Sequence, residues 1–74
     1  MPSNHYDKYK KIGKNIKKLR QERNLSQNEF AELIGISVSY LSKIEAANCD
    51  KSFSLDLLFE ISDRLNVDIG YFFK

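Results

Sequence analysis

Between Leu25 and Glu45 the chain reads LSQNEFAELIGISVSYLSKIE. Ser26 and Ser37 each stand ahead of a run with helical apolar spacing, and Gly35 stands between the two runs. Ser26 to Glu29 spells S-x-x-E. In that pattern the serine hydroxyl accepts from the Glu29 backbone N–H, and the glutamate side chain reaches back to the serine N–H. Gly35 follows Ile34 at a point where only glycine takes positive φ without strain. Ser37 supplies the next helix cap. This stretch therefore predicts two short helices, one ending near Ile34 and one over residues 38–47, with a tight turn between them.

The apolar residues say how the two helices pack. Phe30, Ala31 and Ile34 share the inner face of the first, and Leu41 and Ile44 the inner face of the second. The two stripes meet if the helices cross steeply, which is the geometry of a helix-turn-helix. Upstream, Asp7 is a plausible N-cap for a helix over about residues 8–23, with Ile12, Ile16 and Leu19 as its stripe. Lys10, Lys11, Lys14, Lys17 and Lys18 take its other faces, and Asn24 can supply the left-handed residue that ends it. Downstream, Ser54 caps a helix over about 55–65, with Leu55, Leu58, Phe59, Ser62 and Leu65 facing inward and Leu57 and Ile61 extending that surface. Asn66 is its candidate stop. Asp68 heads a last short helix, Ile69 to Phe73. The expectation is an all-α fold of five helices. Residues 1–8 are expected to be a flexible tail and residues 9–74 one domain.

A chain of 74 residues has room for one domain and a limited core. At 42% hydrophobic and 30% charged it is too apolar for disorder, and its apolar runs are far shorter than a membrane span. Met1 to Asp7 is polar, without a signal-peptide pattern, and Cys49 is the sole cysteine. A cytoplasmic location is expected. The net charge of +2 is unevenly spread. Residues 1–30 hold eight Lys/Arg against three Asp/Glu, and residues 31–74 hold four against seven. The basic half suits a polyanion, although a lysine-rich helix face also arises from solvation alone. His5 and Cys49 have no sequence neighbours that suggest a nucleophile, a triad or a metal site, and no glycine-rich phosphate loop is present. The pattern argues against an enzyme and calls for no cofactor, metal or small-molecule ligand. Tyr71, Phe72 and Phe73 crowd one short helix and cannot easily all point inward, so they are candidate contacts of a homodimer.

The ordered set Ile16, Leu19, Arg20, Leu25-Ser26-Gln27, Glu29-Phe30-Ala31, Gly35-Ile36-Ser37, Tyr40-Leu41-Ser42, Ile44-Glu45, Ser54-Leu55, Leu58, Ile61 and Leu65-Asn66-Val67 resembles the phage-repressor and Cro (XRE-type) class of helix-turn-helix DNA-binding domains. The likeness covers about residues 9–73. It extends to small stand-alone regulators, such as restriction–modification controllers and repressors on mobile elements. It implies a compact five-helix repressor-like domain that places helix 38–47 in the major groove of double-stranded DNA. It departs from the family at Ala47 and Asn66, where glycine is common, and at Val38, where Arg or Gln often stands.

The resemblance also implies roles. Val38, Ser39, Ser42 and Lys43 are candidate base readers. Lys43 can donate to guanine O6 or N7, the serines can donate or accept, and Val38 can pack on a thymine methyl. Gln27, Tyr40, Asn48, Lys51 and Ser52 are candidate phosphate contacts. Arg20 and Glu45 are expected to form a structural ion pair between the first and third helices. The implied function is a sequence-specific transcriptional regulator, a repressor or autoregulator, binding a short inverted repeat as a homodimer. The alternative is an antitoxin-like or regulatory protein-interaction module with the same fold.

Overall fold

The computed structural model describes residues 5–46 and 53–74. They form four α-helices and one 3-10 helix: α1 (Tyr6–Glu22), α2 (Gln27–Ile34), α3 (Val38–Glu45), α4 (Leu55–Leu65) and the 3-10 helix Ile69–Phe73. No strand occurs among the described residues. The all-α expectation holds, but with four α-helices rather than five. Only a short tightly wound piece follows Asn66, where the Asp68 carboxylate accepts from the Gly70 N–H at 3.0 Å.

α1 begins earlier than its polar start suggests. His5 holds the cap position, and its carbonyl accepts from the N–H groups of Lys8 and Tyr9. Asp7 is therefore a first-turn residue, not the cap, and Tyr6, Asp7 and Lys8 belong to the helix rather than to a tail. Farther along the helix, the Tyr9 ring meets Phe53 edge-on, with centroids 5.1 Å apart, and so ties the first turns of α1 to the approach to α4. At the far end Asn24 takes the left-handed conformation, with φ 59°. Asn24 N–H donates to the Gln21 carbonyl and Leu25 N–H to the Arg20 carbonyl, which closes the last turn.

α2 and α3 carry their predicted caps. Ser26 Oγ accepts from Glu29 N–H at 3.0 Å, and Glu29 Oε1 accepts from Ser26 N–H at 2.8 Å. Gly35 ends α2 at φ 88°, a value that strains any residue with a Cβ. Ser37 Oγ accepts from Tyr40 N–H at 3.0 Å. The expected helix over 38–47 stops at Glu45. Ala46 is extended (φ −67°, ψ 143°), and its N–H reaches only the Lys43 carbonyl three residues back. In α4 the expected inward stripe is partly wrong. Leu57, Leu58, Ile61 and Leu65 are buried, whereas Leu55 is 57% exposed and Phe59 49% exposed. This helix has apolar residues on more than one face, and its packing on α2 and the 3-10 helix selects which face goes inward. Asn66 terminates it in the left-handed region, as expected.

The core is built around Phe30, Phe72, Ile16, Leu41, Ile44 and Ile61. α3 packs between α1 and α2, and α1 also rests on the 3-10 helix, where Asn15 Nδ2 donates to the Phe72 carbonyl at 2.9 Å. Gly13 lets α1 approach α3. A Cβ there would sit well inside contact distance of the Ile44 carbonyl oxygen.

Candidate nucleic-acid interface

The outward surface of α3 follows from what its inner face buries. Leu41 and Ile44 enter the core and Glu45 is buried beside them. Helical periodicity then turns Val38, Ser39, Ser42 and Lys43 outward, and all four are exposed. Tyr40 is half-buried against the core. The four expected base readers thus lie together on the open face of one helix, and its first turn is fixed by the Ser37 cap. Asn48, Lys51 and Ser52, expected at phosphates, lie outside the described residues.

A polar network sets the orientation of this face. Arg20 of α1 makes a two-pronged pair with Glu45: Nε to Oε2 at 2.8 Å and Nη2 to Oε1 at 3.0 Å. Both side chains are buried, at 11% and 2% exposure. Arg20 Nη1 also donates to the Leu25 carbonyl at 2.8 Å, so one guanidinium ties α1 to α3 and to the entry of α2. The expected ion pair is present in this form.

Gln27 is also tied into the protein. Its amide Nε2 donates to Glu45 Oε1 at 3.0 Å, and its Oε1 accepts from the Ser42 hydroxyl at 3.1 Å. The amide oxygen and one of the two amide N–H groups are engaged within the protein, and the second N–H is the donor that the expected phosphate contact would use. Residues 18 and 15 positions apart meet here, a pairing that helical periodicity cannot reveal.

Around this face the charge is arranged in two ways. Lys10, Lys11, Lys14, Lys17 and Lys18 line a shallow basic groove along α1 that reaches Glu45. At the start of α2, the Glu29 carboxyl is held below the ordinary glutamate range, first by the Ser26 backbone N–H and then by the Ser26 hydroxyl. Negative charge is thereby kept at the positive end of the α2 dipole.

The C-terminal aromatics separate by burial. Phe72 is fully buried, so it is a core residue and not a dimer contact. Tyr71 is half-buried; its hydroxyl donates to Glu22 at 3.1 Å, and burial raises its pKa, with the Glu22 hydrogen bond adding to the effect. Phe73 is 52% exposed and lines an apolar groove with Tyr9, Ile12, Phe53, Leu55 and Leu58. Leu55 and Phe59 join Phe73 as exposed apolar side chains that an inward assignment had hidden. Among the described residues, no helix is long and apolar enough to cross a membrane.

A family model described as helix-turn-helix matches residues 16–72 of the chain. The antitoxin PezA of Streptococcus pneumoniae is 46% identical over 56 residues, covering 76% of this chain and 34% of the antitoxin. The HTH-type transcriptional regulator SinR of Bacillus subtilis is 40% identical over 58 residues, covering 78% of this chain and 51% of that regulator. SinR of Bacillus licheniformis matches to the same extent. The chain therefore spans between a third and about half of the length of these relatives.

Proposed function

The chain belongs to the helix-turn-helix family, and from that premise we propose that it is a sequence-specific DNA-binding transcriptional regulator acting in the cytoplasm without enzymatic activity. The observation that carries this reading is the open face of α3. Val38, Ser39, Ser42 and Lys43 project from a helix whose opposite face and last residue are anchored in the core and to Arg20. Such a helix has the dimensions of the major groove, and its short polar side chains are suited to base edges. The lysines of α1 add an attractive field for the phosphate backbone.

The target in this reading is a short inverted repeat bound by a homodimer. Two recognition helices then lie about 34 Å apart, one helical turn of DNA. The exposed Leu55, Phe59 and Phe73 provide apolar area for the second copy. Lys8 and Lys11 line the same groove, and Asp56 stands exposed beside Leu55. A two-fold contact that sets Asp56 of one copy against the basic edge of the other suits this distribution.

One observation favours a second reading. The same apolar groove, together with the likeness to an antitoxin, fits a module that binds another protein. A selection from random duplexes at physiological salt, followed by a salt series, separates the two. The regulator reading expects an enriched inverted repeat and an affinity that falls steeply with salt. Weak salt-sensitive binding without any enriched motif overturns it. Lys43→Ala is expected to relax base preference at one position of each half-site while the fold stays intact. Equal weakening on all sequences reassigns Lys43 to a phosphate.

A further inference from the structure

The chain of hydrogen bonds from α1 to the exposed face of α3 has a direction. Glu45 is an ion-paired carboxylate and can only accept. The Gln27 group facing it must therefore be the amide NH2, which donates to Glu45 Oε1 at 3.0 Å. That choice turns the Gln27 carbonyl oxygen toward α3, where it lies 3.1 Å from Ser42 Oγ. A carbonyl oxygen cannot donate, so the serine must supply the proton. A serine hydroxyl has one proton and two lone pairs. With the proton committed to Gln27, the exposed side of Ser42 presents lone pairs alone.

We infer that Ser42 reads its base as an acceptor only and selects an exocyclic amine, because Glu45 orients the Gln27 amide and Gln27 holds the Ser42 proton. In the major groove that amine is adenine N6 or cytosine N4. Guanine O6, thymine O4 and the phosphate oxygens are themselves acceptors, and they face an oxygen that has no proton to offer them. Gln27 is thus a positioning residue. It acts on recognition through Ser42, and the buried Arg20–Glu45 pair fixes its own orientation. This inference rests on the proposed DNA-binding function and adds to it the chemical class of one contact.

The test uses the whole chain and the duplex motif enriched by selection. Ser42→Ala, at an exposed site, is expected to flatten base preference at one position per half-site and leave the others unchanged. At that position the amine is then removed from the duplex, with unsubstituted purine in place of adenine or 2-pyrimidinone in place of cytosine. The wild type is expected to lose about fivefold in affinity, the scale of one hydrogen bond, and Ser42→Ala to lose nothing. Gln27→Met removes the group that holds the proton while keeping similar length. With the proton released, guanine or thymine is expected to be tolerated at that same position. A change in melting temperature alone does not produce this result, so a purely structural role for Gln27 is distinguishable. The inference falls if the wild type is sensitive to loss of a carbonyl oxygen and not of the amine, or if Ser42→Ala changes no position. Either result leaves a DNA-binding protein with an enriched motif. Absence of any enriched motif for the wild type overturns the DNA-binding reading and this inference together.

Discussion

Arg20 engages all three of its guanidinium nitrogens within the chain. It contacts Glu45 through two nitrogens and the Leu25 carbonyl through the third. Its removal leaves the Glu45 carboxylate, 2% exposed, with Gln27 as its described partner. Breaking a buried pair by deleting one side costs roughly 3–5 kcal/mol. That is a large share of the stability available to so small a domain. Arg20→Ala is expected to lower the melting temperature by more than 10 °C, on the order of several degrees per kcal/mol. Calorimetry or circular dichroism checks this, and unchanged melting accompanied by lost DNA binding would overturn the structural role. Gly13 shows the same economy in the opposite chemical sense: there the absence of a side chain makes room for the Ile44 carbonyl.

Each helix from α2 onward begins with a side chain whose oxygen accepts from a backbone N–H, and these caps were legible in the sequence. Ser26, Ser37, Ser54 and Asp68 all take the roles their positions suggest. Capping is local, because donor and acceptor lie within three residues, so sequence spacing is enough to find it. The acidic partner in the α2 box gives a pH signature. Glu29 titrates below its ordinary value because its charged form accepts from Ser26 N–H. Its contribution to stability is present above the unfolded-state value of about 4.5 and is lost as pH falls through the lower folded-state value. Glu29→Gln keeps an acceptor but no charge. Its melting temperature is expected to fall below that of the wild type near neutrality and to converge with it as the pH falls below the lowered folded-state value. A difference that stays constant with pH would show that the carboxylate charge contributes nothing.

At the scale of the molecule, two surfaces stand apart from an otherwise ordinary exterior: the polar outer face of α3, and the apolar side formed by Leu55, Phe59 and Phe73. The second is expected to be the contact between two copies. Because Leu55 and Phe59 are exposed, changing both to serine is expected to leave the melting of a dilute monomer within about 0.5 kcal/mol of the wild type. Sedimentation at rising concentration should show the wild type approaching a dimer while the double variant stays monomeric. Loss of the dimer should also reduce affinity for the full inverted repeat toward that for one half-site. An identical mass profile for both proteins removes this surface from the dimer.

The sequence by itself determined the helices of the Leu25–Glu45 stretch, the turn at Gly35, the stops at Asn24 and Asn66, and the inner faces of α1, α2 and α3. All of these rest on interactions within one or two helical turns, where side-chain type and spacing carry the physics. Tertiary structure decided what depends on groups far apart in the chain. The Tyr9–Phe53 contact joins the first turns of α1 to the approach to α4, 44 residues on. Packing decided which of the apolar faces of α4 goes inward, and placed Phe72 in the core while leaving Phe73 outside. Most consequentially, it brought Arg20, Gln27, Ser42 and Glu45 into one hydrogen-bonded chain. Residue types alone made Gln27 and Ser42 two independent polar candidates. The fold joins them, because a donor and an acceptor acquire a direction only when a third, acceptor-only group lies within reach.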